Sequence, residues 1–324
     1  MKRLATSGTD RSLPRTRPGR RLGSRAACGL APFLVCMTTL TLSGCHMALF
    51  DPKGSIGVQE KHLIIIASVL MLLVVVPVIA LTLYFAWHYR KSNTQATYAP
   101  TWTHSTKIEV VVWVIPCLIV TCLAVLIWRS THTLDPYRPV QSTAKPVNVD
   151  VIALNWKWLF IYPDEDIASV NRLVIPVGRP INFRITSDSI MNSFFIPRLG
   201  SQIYAMSGMQ TRLHLIADTP GVYQGMSSSF SGPGFADMHF DTAATSEADF
   251  KRWVEQARHS KLVLTKAAYQ ALAAPSRNNP VESYSHVAAH LFEHVVDQYR
   301  RDVFPGRPPH PAIPLNPSAA RVSE

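Results

Sequence analysis

Two long apolar stretches without a single charged residue constrain this chain more than any other feature. They cover residues 63–87 and 110–128. A helix needs about 20 apolar residues to cross the hydrocarbon core of a bilayer, so both stretches are long enough. Only 16% of all residues are charged, against about 25% in soluble proteins. We therefore predict two transmembrane helices, over 63–87 and 110–128, which form a hairpin.

The segment between the two stretches, residues 88–109, predicts how the hairpin is oriented. It carries Arg90, Lys91 and Lys107, and its one acidic residue is Glu109 at the end. Short loops rich in Lys and Arg remain in the cytoplasm. The chain before and after the hairpin is therefore predicted to lie on the outer side of the membrane.

The N-terminus has the pattern of an export signal. Residues 1–25 hold eight basic residues and one acidic residue, and an apolar stretch follows over 26–42. The stretch ends in Leu-Ser-Gly before Cys45, which resembles a bacterial lipobox. The resemblance implies a signal peptide over 1–44, lipidation (palmitate) of Cys45, and a periplasmic segment over 45–62. The alternative is a membrane anchor in which Cys45 occurs by chance.

The chain beyond the hairpin changes to short β-rich stretches. Residues 147–154, 172–177, 181–186 and 211–216 are rich in β-branched and alternating residues, with Gly and Pro between them. Such spacing is typical of a sandwich or barrel, which we assign to residues 129–245. Ser246 and Asp249 then form a capping-box pattern, and helices are predicted over about 265–273 and 281–300. We expect a helical arm over 246–300 and a disordered, Pro-rich tail over 301–324.

Charge and cysteine content narrow the function. The net charge of +11 first suggests nucleic acid, but the excess lies in the signal and beside the membrane, and residues 129–298 carry fifteen basic and fifteen acidic residues. We therefore predict the lipid bilayer, and no nucleic acid, as a partner. None of the five cysteines lies after Cys122, so the outer domain has no thiolate metal site.

Three local motifs carry a resemblance to a known family. They are Trp-Lys-Trp-x-Phe-x-Tyr over 156–162, Asn-Ser-Phe-Phe-Ile-Pro over 192–197, and Gly-Val-Tyr-Gln-Gly over 221–225. Together with the hairpin they resemble subunit II of the haem–copper respiratory oxidases, over about residues 45–275. The implied fold is a two-helix transmembrane hairpin plus a periplasmic all-β cupredoxin-like sandwich with a C-terminal helical arm.

The resemblance includes the loop that holds a dinuclear copper A centre in cytochrome c oxidases. In this chain serines stand at the two Cys positions and the Glu position, Phe and Asn at the two His positions, and only the Met is kept. These degenerate positions are Ser227, Ser231, Ser229, Phe235, Asn192 and Met238. Two copper ions at short separation need bridging thiolates, which Ser hydroxyls cannot replace. We therefore predict no metal in this chain, and Met238 and the aromatic pair Trp156 and Trp158 are interpreted as structural residues.

A subunit II without copper A resembles that of the cytochrome bo-type ubiquinol oxidases. The resemblance implies a non-redox subunit of a proton-pumping enzyme of the bacterial inner membrane, which oxidises ubiquinol and reduces oxygen to water. Haem and copper B are then expected in subunit I, with subunits III and IV as further partners and no cytochrome c. Two alternatives remain open: a menaquinol-type oxidase subunit, and a cupredoxin-fold lipoprotein used as scaffold or in copper handling.

Two further groups of residues are functional candidates. Glu109 matches a residue thought to open a proton path in the family, although an acid there also suits the N-terminus of a helix. His286, His290 and His294 recur every four residues, so on the predicted helix they face one way and could hold zinc. A polar helix face is the alternative for the histidines.

Overall fold

The computed structural model of this chain describes residues 47–97 and 99–303. The predicted signal peptide, Cys45 and the tail from residue 304 onwards lie outside the described residues. Within them, the chain begins with a short 3-10 turn, Ala48–Phe50, and continues into the hairpin.

The hairpin consists of α1, Ser55–His88, and α2, Thr106–Thr133, which contact each other. Both are long and apolar enough to cross a membrane. Each helix is longer than the apolar stretch that predicted it. The first turn of α1 is held by the outer domain, because the N–H of Gly57 donates to the carbonyl of Leu199 at 3.1 Å. In the last turn of α2, side chains also bond to the helix backbone. For example, the Thr133 hydroxyl donates to the carbonyl of Arg129 at 2.6 Å.

Two sheets follow the hairpin and lie face to face. The six-stranded sheet has the order β11-β3-β2-β1-β5-β8, and the five-stranded sheet has the order β4-β10-β9-β6-β7. The β1–β5 and β4–β10 pairs are parallel and the other pairs are antiparallel. The strands are β1 Val147–Leu154, β2 Lys157–Tyr162, β3 Ile167–Val170, β4 Arg172–Pro176, β5 Pro180–Ser187, β6 Asn192–Phe195, β7 Ile203–Ala205, β8 Thr211–Ile216, β9 Gly221–Ser227, β10 His239–Thr245 and β11 Glu282–Tyr284.

Strand β1 shows how the sequence builds two cores at once. Val147, Val149 and Val151 alternate along the strand and pack between the two sheets. Ile152 and Leu154 face the other way and belong to a second apolar cluster. A central strand that is buried on both faces has a nearly continuous apolar sequence, and the end of β1 has such a sequence.

The C-terminal arm contains α3 Glu247–Arg258, α4 Lys266–Ala273 and α5 Leu291–Val303, with β11 between α4 and α5. Helix α3 packs on the first core through Phe250, Val254 and Ala257. The rest of the arm packs on the outer face of the six-stranded sheet and forms the second cluster. The N-cap bond of the predicted capping box is present, since the N–H of Asp249 donates to the Ser246 hydroxyl at 3.1 Å. Apolar residues of α5 cover the sheet, namely Leu291, Phe292, Val295 and Val296.

The prediction of a helix over about 281–300 is wrong in its first half. Residues 282–284 form β11 instead, because they pair with β3 along the sheet edge. His290 has a φ of 57°, and α5 begins only after it. The three histidines therefore do not share a helix face, and the Nδ1 of His286 lies 2.5 Å from a carboxylate oxygen of Asp166. Among the residues that the structure describes, no group of three His, Cys, Asp or Glu side chains could hold a metal ion.

Candidate functional site

The predicted copper-type positions meet at one end of the five-stranded sheet, which we call the pole. Asn192 begins β6, Ser227 ends β9, and the two strands are paired. The chain from 228 to 238 loops over this end and returns into β10, bringing back Met238. Five of the six positions therefore come together, and they are Asn192, Ser227, Ser229, Ser231 and Met238.

Asn192 and Ser227 form the centre of a hydrogen-bonded network at the pole. The Ser227 hydroxyl donates to the Asn192 side-chain oxygen at 3.1 Å, and the Asn192 amide donates to the carbonyl of Ile190 at 3.0 Å. The backbone N–H of Ser193 donates to the Ser227 hydroxyl at 3.4 Å. Asn192 is completely buried and Ser227 nearly so. The network therefore satisfies these polar groups with protein partners alone.

The remaining positions extend the network or lie beside it. The hydroxyls of Ser229 and Ser193 are 2.5 Å apart, and the Ser231 hydroxyl donates to the sulfur of Met238 at 3.9 Å. Met238 is buried in the core between the sheets. Phe235 lies on a short 3-10 turn and makes an edge contact with the ring of Phe230 instead.

The two tryptophans have structural contacts. The indole N–H of Trp156 donates to the carbonyl of Ser231 at 2.9 Å, which fastens the loop. A Cβ on Gly234 would lie 2.4 Å from the Trp156 ring, so only glycine allows this approach. Trp158 is fully buried and makes edge contacts with Phe194 and Phe240 in the core.

The donor set at the pole does not fit a dinuclear copper centre. It offers hydroxyls, one amide and one thioether, whereas bridging two copper ions requires thiolates. The polar groups also have their hydrogen bonds within the network. We therefore derive no electron-transfer step through a metal at this pole.

A second buried polar cluster, which the sequence reasoning missed, lies under the arm. The guanidinium of Arg184 donates to both carboxylate oxygens of Asp150, at 2.6 and 2.5 Å, and to Glu293 of α5 at 2.9 Å. It also lies 4.7 Å from the centre of the Phe292 ring. Burial raises the pKa of Asp150, and the hydrogen bonds and charge of Arg184 oppose that shift. This charged cluster joins β1, β5 and α5.

One signal for the charged cluster is present in the sequence. Asp150 stands at an alternate position of β1 among valines, and Arg184 stands similarly in β5. Their contact depends on the parallel register that places Asp150 beside Arg184. No spacing rule supplies that register.

Glu109 lies in the first turn of α2, far along the chain from both clusters. Its N–H donates to the carbonyl of the preceding Ser105 at 2.9 Å, and its side chain is exposed. The structure therefore brings Glu109 together with neither the pole nor the charged cluster.

A membrane hairpin that carries a two-sheet sandwich, with a loop in the place of the copper A loop, defines the class of oxidase subunit II. The family model described as "Cytochrome C oxidase subunit II, periplasmic domain" matches residues 164–244, and "COX Aromatic Rich Motif" matches 258–302. Subunit 2 of the cytochrome bo(3) ubiquinol oxidase of Pseudomonas putida is 55% identical, over 87% of this chain and 88% of its own. The chain belongs to this family of oxidase subunits.

The chain is also similar to two further proteins. Subunit 2 of the cytochrome bo(3) ubiquinol oxidase of Pseudomonas aeruginosa is 53% identical, over 80% of this chain and 78% of its own. The crystal structure of the periplasmic domain of cytochrome oxidase subunit II of Bradyrhizobium japonicum is 22% identical, covers 37% of this chain and 96% of that one, and has a TM-score of 0.34. The resemblance stated from the motifs, and the predicted fold class, are confirmed.

Proposed function

We propose that this chain is the non-redox subunit II of a proton-pumping ubiquinol oxidase that reduces oxygen to water. The observation that carries the proposal is the pole, where hydroxyl and amide groups bonded to each other stand in place of thiolates and imidazoles. The names of the relatives support quinol as the substrate of the complex.

Electrons need not cross the outer domain when the donor is a lipid-soluble quinol. The redox centres, haem and copper B, are proposed to lie in subunit I, with this chain bound to it and to subunits III and IV. The outer domain between residues 129 and 298 carries equal numbers of acidic and basic residues. It therefore has no net charge to steer a charged carrier such as cytochrome c.

The proposal is tested on the complex purified from membranes through this chain. We expect haem absorption without a copper A band, and oxygen consumption with ubiquinol but not with reduced cytochrome c. Faster turnover with menaquinol than with ubiquinol would show that menaquinol is the substrate. A preparation without haem would contradict the oxidase role and favour a membrane scaffold.

Glu109 is proposed as the entrance of a proton path into subunit I. The carboxylate stands in the first turn of α2, at the end predicted to be cytoplasmic, where an acid facing a neighbouring subunit can collect protons. Glu109→Gln should slow oxygen consumption while assembly and haem content stay normal. Lys107→Gln changes a charge at the same helix end and serves as the control. Equal rates in the Glu109→Gln variant and the unchanged enzyme would exclude the role.

Cys45 is proposed as a lipid anchor. The first described residues after it include exposed apolar side chains, Met47, Leu49 and Phe50, which suit a position near the bilayer surface. The intact mass of the mature chain should include the acyl groups. Cys45→Ser should remove them, and Cys117→Ser should not.

A further inference from the structure

The last described helix ends beside two loops at the pole. A Cβ on Gly208 would lie 3.0 Å from the N of Arg300, and the Tyr299 hydroxyl donates to the carbonyl of Asp188 at 3.4 Å. Gly208, with a φ of +73°, therefore lets the 206–210 turn approach α5 closely. The hydroxyl of Ser207 in turn bonds the carbonyl of Ser189, so the two loops are joined. Val303 follows Arg300 by only about 4.5 Å of helix.

Large apolar side chains are exposed on these same loops and on the neighbouring edge strand β7. Ile190 is 56% exposed, Met191 and Tyr204 are each 48% exposed, and Met209 is 45% exposed. The pairing of Asn192 with Ala205 places residue 191 and β7 along one sheet edge. We call these four residues the pole patch. A cluster of exposed apolar side chains at one place indicates a binding surface.

The chain beyond Val303 has the composition of a segment that binds such a surface. Residues 304–324 contain prolines at 305, 308, 309, 311, 314 and 317, and apolar residues Phe304, Ile313 and Leu315. A polyproline II helix rises about 3.1 Å per residue, so residues 305–317 could extend about 40 Å. Pro-rich segments bind aromatic and apolar grooves in this form, because they lose little conformational entropy.

We propose that the Pro-rich tail of this chain, residues 304–324, binds the pole patch in an extended polyproline II conformation. The tail follows about one helical turn after Arg300, which lies beside Gly208, the chain neighbour of Met209, so the effective concentration of the tail at the patch is on the order of millimolar. Polyproline II has no internal hydrogen bonds, so docking requires no fold within the tail itself. The bound tail would cover the loops over the Asn192 network. The inference does not depend on which quinol the complex oxidises.

Two methionines of the patch are natural reporters for the test. The intact oxidase complex is treated with hydrogen peroxide, and sulfoxide formation at Met191 and Met209 is followed by mass spectrometry. Deletion of 304–324 should raise both rates about tenfold, the change expected if the tail covers the patch in about 90% of molecules. Met47, which is 56% exposed and lies outside the patch, should keep its rate.

A second variant separates docking from chain length. Replacing Phe304, Ile313 and Leu315 by Ser keeps the prolines but removes the apolar anchors, and should raise the same two rates. A synthetic peptide of residues 304–324 should restore protection to the deletion variant. Equal rates in all three proteins would overturn the proposal. If the two methionines stay protected in the complex after the deletion but lose protection in the separated subunit, another subunit covers the patch. That result would also overturn the proposal.

Discussion

The polar cluster at the pole and the charged cluster under the arm are both buried, and their chemistry differs. At the pole, Asn192 and the serines are neutral and bond to one another within the loops of a single sheet. Under the arm, Asp150, Arg184 and Glu293 are charged and join the sheet to a helix that follows it by about a hundred residues. Both clusters satisfy buried polar groups, but only the charged one fastens a separate element to the sandwich.

The difference has an energetic consequence. Loss of one neutral partner costs a hydrogen bond and leaves one polar atom unsatisfied. Loss of one partner of a buried ion pair leaves a charge in a poorly solvated site, which costs more. The neutral pole can therefore tolerate change in sequence better than the cluster beneath the arm.

The largest effect is expected at the centre of the charged cluster. Arg184→Met keeps the apolar contact with Phe292 but leaves the Asp150 carboxylate buried without its partner, at a cost of about 3–5 kcal/mol. Urea unfolding of the full-length chain in detergent, followed by protease cleavage of the outer domain, measures this loss. Arg212→Met is the matched control, because Arg212 of β8 stands opposite Arg184 of β5 in the sheet but is only half-buried. Its effect should stay within about 0.5 kcal/mol.

A double variant sharpens the interpretation. Combining Asp150→Leu with Arg184→Met removes both ions, and apolar replacement of a buried pair is often close to neutral. The double variant should therefore be more stable than Arg184→Met alone. If it is less stable, the cluster acts through shape and not through charge.

A smaller effect is expected at the neutral pole. Ser227→Ala removes the donor to the fully buried Asn192 oxygen and should cost about 1–2 kcal/mol. Ser228→Ala, at the exposed neighbouring position, is the control and should change little. The same unfolding experiment applies. If Ser227→Ala lowers the stability as much as Arg184→Met does, the two clusters do not differ in their energetic contribution.

The smallest effect is a pH dependence at His214, which lies on the outer face of the six-stranded sheet. Its Nδ1 lies 2.8 Å from the side-chain oxygen of Asn182, and burial, with the charge of Arg212, lowers its pKa. A lowered pKa favours the neutral ring in the folded state, so stability falls as pH drops below about 6.5, where the unfolded chain takes up a proton. His214→Gln should make stability less dependent on pH in that range. If the slope of stability against pH is unchanged in this variant, other groups cause the pH dependence.

Local pattern was sufficient for much of the fold. The uncharged stretches indicated both transmembrane helices, and alternation in 147–154 indicated β1, because the side-chain periods of strand and helix differ. The helix over 281–300 failed because β11 exists only through its pairing with β3, which lies more than a hundred residues earlier. Likewise, the three histidines at helical spacing do not form the predicted zinc site, because the backbone at His290 is not helical.

The sequence alone determined that no thiolate is available in the outer domain, since that depends only on which residues are present. It also determined the membrane hairpin, because a lipid-facing helix must carry its apolar residues in one stretch. Only the tertiary structure decided that Asn192 and Ser227 satisfy each other, and that Arg184 joins Asp150 to Glu293. Those contacts depend on register between strands distant in sequence, and register is set by how the whole sandwich packs.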